Sequence, residues 1–138
     1  MSFLIIPCYI KTKWDIDCLT RLLESVQIQT LKFEKVLVID DFSPFEYQLN
    51  FFNIELIRLS ENGGPAKARN VGIDKALSEK AKHMFFTDHD CILDSQWNEQ
   101  MTNFLNSTEF AAVGGMTFSY GKTLYDYYHD INGTLNGK

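Results

Sequence analysis

Short apolar runs alternate with helix-period segments along the chain. FLIIPC (3–8) reads as a strand ended near Pro7. Residues 15–29 place Leu19, Leu22, Leu23 and Val26 at helical spacing, with Asp15 or Asp17 available to cap the start. KVLVID (35–40) is the cleanest strand, and IELIRL (54–59) alternates as an edge strand with one wetter face would. ENGG (61–64) is a turn signal, and Pro65 after it suits the first position of a helix running to about residue 81. HMFFT (83–87) is a further strand, a helix is expected over 95–104, and AAVGGM (111–116) reads as a last buried strand. The segment from Thr117 on, rich in Tyr, Gly and Asn, carries no assignable pattern.

This order predicts one α/β domain over residues 1–138, with 117–138 as an unassigned tail. Its sheet is mostly parallel and covered by helices on both faces, because strands apolar along their whole length must be buried on both sides. Ligands of such sheets bind beyond the carboxyl ends of the strands. The four strand ends here carry Pro7-Cys8-Tyr9, Asp40-Asp41, Asn62-Gly63-Gly64 and Asp88-His89-Asp90. Parallel strands would bring these sets to one crevice holding at least four carboxylates, which need a cation or hydrogen-bond donors to remain ionised together.

Asp88-His89-Asp90 follows a buried strand, whereas the other D-x-D, Asp15-Ile16-Asp17, precedes an amphipathic helix and suits its dipole. Carboxylate oxygens fit hard cations such as Mg²⁺ or Mn²⁺ that keep positions open for phosphate oxygens. The plainer reading, a turn capping the helix near Ser95, is already served by Asp94 or Ser95. Taking Ile73 as the centre of the buried face of the 65–81 helix puts Ala66, Ala76 and Leu77 there, with Arg69 and Asn70 in its first turns and Lys80 near its far end. With the amides after Gly63-Gly64, Arg69 and Asn70 would form an anion site. Arg69 alternatively pairs with Asp41 or Asp88.

Asp41 offers an acceptor for a base N–H or ribose hydroxyl, or else starts an Asx-turn, a role that suits Asp40 better. Tyr9 could stack on a base. His89, in an extended chain, would point away from its flanking acids and is read as surface. Nothing activates Cys8 or Cys91 as a nucleophile. Gly114-Gly115 allows close approach to a substrate or ends a strand, and His129 is read as structural.

Composition narrows the classes. Of 138 residues, 45% are hydrophobic and 22% charged, as in an ordinary globular domain, and a net charge of −5 without a basic stripe excludes a nucleic-acid binder. Cys8, Cys18 and Cys91 lack metal-ligand spacing and read as reduced thiols of a cytoplasmic protein. No run reaches the ~20 apolar residues of a membrane span, which leaves docking on the inner face of the membrane open.

FLIIPCY, VLVIDDFS, NGGPAKARNVGIDKA and FFTDHD, in this order and spacing, resemble the nucleotide-sugar-binding half of family-two glycosyltransferases of the GT-A fold. The resemblance covers residues 3 to about 116. It implies inverting, metal-dependent transfer of a sugar from a nucleoside diphosphate, foremost a UDP-sugar, to a saccharide, lipid or protein acceptor. By position it implies that Pro7, Tyr9 and Asp41 contact base and ribose, and that Asn62, Gly63, Lys67 and Arg69 lie near base, ribose or diphosphate. Asp88 would hold ribose or metal, and Asp90 the Mn²⁺ or Mg²⁺ that bridges the phosphates.

Ile10 stands where the family often has Asn, and family members usually continue into an acceptor-binding half carrying the catalytic base. That half is expected to be missing or reduced here, and Asp126 and Asp130 are base candidates by elimination alone. Two alternatives follow from the residues: a nucleotide-binding module without activity, and a phospho-receiver in which KVLVIDD is the opening strand and Asp88 the phosphoacceptor. A nucleotidyltransferase would want a Gly-rich loop after the first strand, and Tyr9-Ile10-Lys11-Thr12-Lys13 has no glycine.

Overall fold

The most apolar stretch of the chain becomes the centre of the sheet. All seven residues of β1 (Ser2–Cys8) are buried, and β1 is flanked by β2 (Lys35–Asp40) on one side and β4 (His83–Phe86) on the other. With β3 (Ile54–Arg58) outermost, the order is β3-β2-β1-β4, and every pairing is parallel. The computed structural model describes residues 1–121 and 123–132. Its four strands bear out the expected mostly parallel α/β architecture. β3 is the edge foreseen from its alternation, with Leu56 turned to solvent.

Register fixes the functional edge. Cys8 pairs with Asp40, and Asp40 with Arg58, so β1, β2 and β3 end side by side. Beyond β4, Thr87 N donates to Ile5 O at 3.4 Å, carrying the chain alongside β1 toward Asp88.

α1 (Lys13–Gln27) buries Leu19, Leu22, Leu23 and Val26, the stripe read from its spacing. Its cap is Thr12, not Asp15 or Asp17. Thr12 Oγ1 accepts from Asp15 N while Asp15 Oδ2 accepts from Thr12 N at 2.8 Å, a reciprocal capping box. Two buried amides then fasten the end of α1 to the start of α3 (Trp97–Ser107). Gln29 Nε2 donates to Asp94 O at 2.6 Å, Gln29 Oε1 accepts from Asn98 N at 2.9 Å, and Asn98 Nδ2 donates to Leu31 O at 2.8 Å. Asp94 takes the turn before α3, accepting from Gln96 N at 2.9 Å, so neither Asp88 nor Asp90 is needed there.

α2 (Gly64–Ser78) lies on the face formed by Phe3, Ile5, Leu37 and Ile39. Its buried stripe is Ala68, Gly72 and Ala76, and the expected inward face is wrong in part: Ala66, Asn70 and Leu77 are exposed. Proximity explains the shift. The helix sits so close to the sheet that a Cβ on Gly72 would lie 2.4 Å from Ile5 Cγ2, so the smallest side chains, not the largest, define the contact. Gly72→Ala is therefore expected to destabilise by about 1 kcal/mol net in denaturant unfolding, overpacking outweighing the gain in helix propensity.

Residues 1–102 form one compact unit and those from 103 a second. In the second unit, α4 (Leu124–Asn132) was unforeseen, although it begins with the same Thr-x-x-Asp box as α1: Thr123 N donates to Asp126 Oδ2 at 2.8 Å. The strand expected over 111–116 does not form. Ala111, Ala112, Gly114, Gly115 and Met116 are exposed, as small residues and paired glycines offer a sheet little to bury. His129 packs edge-on to Tyr125, with ring centroids 4.3 Å apart, in keeping with a structural role. Among the described residues no helix is long and apolar enough to cross a membrane.

Candidate nucleotide site

At the carboxyl edge of the sheet lies a cleft of about 340 Å³, within the range of small-molecule sites. Six residues singled out from the sequence line it together: Pro7 at the end of β1 and Tyr9 just after it, Asp41 after β2, Arg69 on α2, and Asp88 and Asp90 after β4. Parallel register accounts for this convergence, since each ends or follows a strand that reaches the same edge, or lies in the first two turns of the helix above it.

Asp41 is 3% exposed. Its Oδ1 accepts from Gly63 N at 2.8 Å and its Oδ2 from Gly64 N at 2.7 Å, while its backbone carbonyl accepts from Asn62 Nδ2 at 3.1 Å. This corrects the expected anion site after Gly63-Gly64: those amides are already taken by an internal carboxylate. Gly64 has φ of 83°, a conformation that favours glycine, and so turns its N–H back toward Asp41. Pro65 has no N–H to add. Asn62, Gly63 and Lys67 do not line the cleft. The first two brace Asp41 from behind, and Lys67 Nζ pairs with Glu61 Oε1 at 2.7 Å in solvent.

The Asx-turn falls on Asp40, which is 1% exposed. Asp40 Oδ1 accepts from Ser43 N and Oδ2 from Arg58 Nη1, both at 2.8 Å, and Arg58 Nη2 also donates to Ser43 O at 2.6 Å. The Arg58 guanidinium lies 5.5 Å from the ring centroid of Phe42, itself at φ 60°. Ser43 Oγ in turn accepts from Ile10 N at 2.8 Å, tying the loop after β2 to the one after β1. These bonds hold the wall from which Asp41 projects.

Arg69 Nη2 contacts Asp88 Oδ1 at 2.5 Å, which realises the ion pair with Asp88 rather than the one with Asp41. Asp90 is exposed and has no hydrogen-bond or ion-pair partner among the described residues. No group of three or more metal-binding side chains occurs among them either. Two carboxylates one residue apart, one of them unpaired, fit a cation that fills its remaining positions with water and phosphate oxygens. They do not fit a closed all-protein cage.

Cys8 lines the cleft with the rest of its strand-end set, and two further lining residues, Pro65 and His89, depart from the sequence reading. The surface reading of His89 assumes an extended chain. The strand instead ends at Phe86, and Cys91 N donates to Asp88 O at 3.3 Å, so the chain turns and alternation stops. The ring lines the cleft, and its Nε2 is buried without a partner among the described residues. Cys8 is buried beside Tyr47 Oη at 3.3 Å. Burial pushes its thiol up to about 12, only partly opposed by the Tyr47 hydrogen bond, in keeping with a thiol that nothing activates. Asp126 and Asp130 are committed within the second unit. Asp126 caps α4, and the Thr123 hydroxyl and amide bonds hold its carboxyl below the usual range, while Asp130 Oδ1 accepts from Ser119 N at 2.8 Å.

Sheet and cleft together define an α/β domain of the kind that holds a nucleotide at its strand ends. Residues 3–137 match the family Glycosyl transferase family 2, and the chain belongs to that family. Its fold is GT-A, as the resemblance implied. Similar solved structures include S. aureus TarS 1–349 in complex with UDP, with TM-score 0.61 and 21% identity, matched over 86% of this chain and 39% of that one. TarS 1–349 in complex with UDP-GlcNAc gives TM-score 0.64 and 24% identity over 86% and 38% of the two chains. An uncharacterised glycosyltransferase of Rickettsia felis is 31% identical over 77% of this chain and 17% of its own length. One of Rickettsia conorii is 30% identical over 93% and 19%. The chain thus spans about a fifth of the length of these curated relatives.

Proposed function

We propose that this chain binds the donor of a glycosyltransferase that moves a sugar, with inversion, from a nucleoside diphosphate to an acceptor hydroxyl. UDP-sugars are the foremost donors. The observation that carries this reading is the convergence of Pro7, Tyr9, Asp41, Arg69, Asp88 and Asp90 on one cleft, in a chain of glycosyl transferase family 2. The UDP and UDP-GlcNAc complexes of TarS support the choice of base.

In this reading Pro7 and Tyr9 flank the base, and Asp41 accepts from a base N–H or ribose hydroxyl through lone pairs that Gly63 and Gly64 leave free. Asn62 and Gly63 act indirectly, by fixing Asp41. Lys67 reaches a ligand only by leaving Glu61. Asp88 and Asp90 hold Mn²⁺ or Mg²⁺, which when bound stabilises the negative charge developing on the departing diphosphate. Arg69 supplies a fixed positive charge to the same group. The acceptor hydroxyl loses its proton to a base that none of the cleft residues supplies in an identifiable way. Three free cysteines support a cytoplasmic setting.

A thermal-shift series with UDP, GDP, CDP and dTDP and their sugars, each with and without Mn²⁺, tests the assignment. Uridine nucleotides with Mn²⁺ are expected to raise the melting point by several degrees, because a ligand of the folded state stabilises it by mass action. A series in which no nucleotide shifts the transition refutes the site. Release of sugar from a bound donor, measured on the longest natural form of the protein, separates an enzyme from a binding module.

A further inference from the structure

Two carboxylate–guanidinium pairs stand at the same sheet edge, and they differ in one physical respect. In the Asp40–Arg58 pair the guanidinium side chain is 47% exposed but the carboxylate only 1%, and both groups bond elsewhere in the wall, which fixes the pair. In the Arg69–Asp88 pair the side chains are 36% and 59% exposed, and among the described residues no further bond fixes either charged group. An open pair of this kind changes an equilibrium by roughly fivefold at most, and water or another ion replaces either partner readily.

We propose that Arg69 is a placeholder cation. Without a nucleotide it neutralises Asp88 and keeps a free divalent ion weakly held. When a metal–diphosphate arrives, Asp88 passes to the metal and Arg69 to the phosphate oxygens. This rests on the nucleotide reading above and deepens it, by making cation and nucleotide binding one coupled event. The charges favour the exchange. Asp41 is held in place by Gly63 and Gly64, so among the described lining residues Asp88, Asp90 and Arg69 are the charged groups free to change partner. A dication entering beside Arg69 is repelled by it, and a diphosphate entering beside Asp88 and Asp90 is repelled by them. Arriving together, each screens the other from these like charges. By linkage, each ligand raises the affinity for the other by the same factor.

The test titrates Mn²⁺ by electron paramagnetic resonance, reading the free aquo ion, into the parent, Arg69→Ala and Arg69→Met. Arg69→Met keeps the packing of the stem and loses the guanidinium, and far-ultraviolet circular dichroism verifies that both variants are folded. Without nucleotide, both variants are expected to bind Mn²⁺ about 3–10-fold more tightly than the parent, having lost a competitor and a repelling charge. With saturating UDP, the affinity of the parent for Mn²⁺ is expected to rise at least ~10-fold and that of the variants by less. Variants that bind Mn²⁺ in the absence of UDP no more tightly than the parent overturn the proposal. That arm uses no nucleotide, so it is separable from a failure of UDP to bind the parent at all, which would refute the nucleotide reading instead.

Discussion

Asp90→Ala is expected to lower Mn²⁺-dependent UDP affinity by about two orders of magnitude, measured by calorimetry, while the melting point of the unliganded protein stays within a degree or two. The asymmetry follows from what Asp90 touches. Its side chain is exposed at the mouth of the cleft and bonds to nothing among the described residues, so removing it breaks no packing and leaves no group unpaired. Surface substitutions of this kind change stability by no more than about 0.5 kcal/mol. A hard cation, by contrast, finds only Asp88 left to hold it, and loses a charged oxygen ligand without replacement. Asp90→Asn keeps the shape, removes the charge, and is expected to fall between the two. If Asp90→Ala binds UDP and Mn²⁺ as the parent does, the cation is not held here.

Asp41→Ala is expected to act on the fold first. Its carboxylate is buried and accepts two backbone amides at 2.8 and 2.7 Å, and its loss leaves the Gly63 and Gly64 N–H groups without an acceptor. Hydrogen bonds to a charged group contribute about 1.5–3 kcal/mol each, so a loss of about 3–5 kcal/mol is expected in urea or guanidinium unfolding. That is a large part of the 5–15 kcal/mol typical of a domain. Asp41→Asn retains one acceptor oxygen and is expected to lose about half as much. Nucleotide binding should fail in Asp41→Ala even where the chain remains folded, because the turn that opens α2 and places Arg69 is no longer tied to β2. A midpoint unchanged from the parent would show that Asp41 is not the tie.

Much of this architecture was legible along the chain, for physical reasons. The strands of a parallel sheet buried on both faces must be continuous apolar runs, and KVLVID and FLIIPC have no other stable use. The α1 stripe was legible because its leucines are large and evenly spaced. The face of α2 was not, because its contact selects absence of side chain: Gly72 and two alanines leave no hydrophobic signal, although the helix lies against the central strand. The second unit was illegible for a related reason. Its glycines, tyrosines and scattered apolar residues give no dominant period, and the Thr123-x-x-Asp126 box was its one readable mark. At the site, the strand-end rule brought Pro7, Tyr9, Asp41, Asp88 and Asp90 to one cleft, and the first turns of α2 added Arg69. It erred where a side chain's bonds depend on three dimensions: the Gly63 and Gly64 amides met Asp41, and His89 turned inward once the strand had ended.

The tie between Asp41 and the opening of α2 also bears on what the protein ignores. Many phosphate-binding proteins leave the first amides of a helix open, and any small tetrahedral anion fits such a mouth. Here that mouth is plugged by the chain's own carboxylate, and Pro65 behind it has no hydrogen to give. Inorganic phosphate or sulfate is therefore expected to find no ready seat on these two amides.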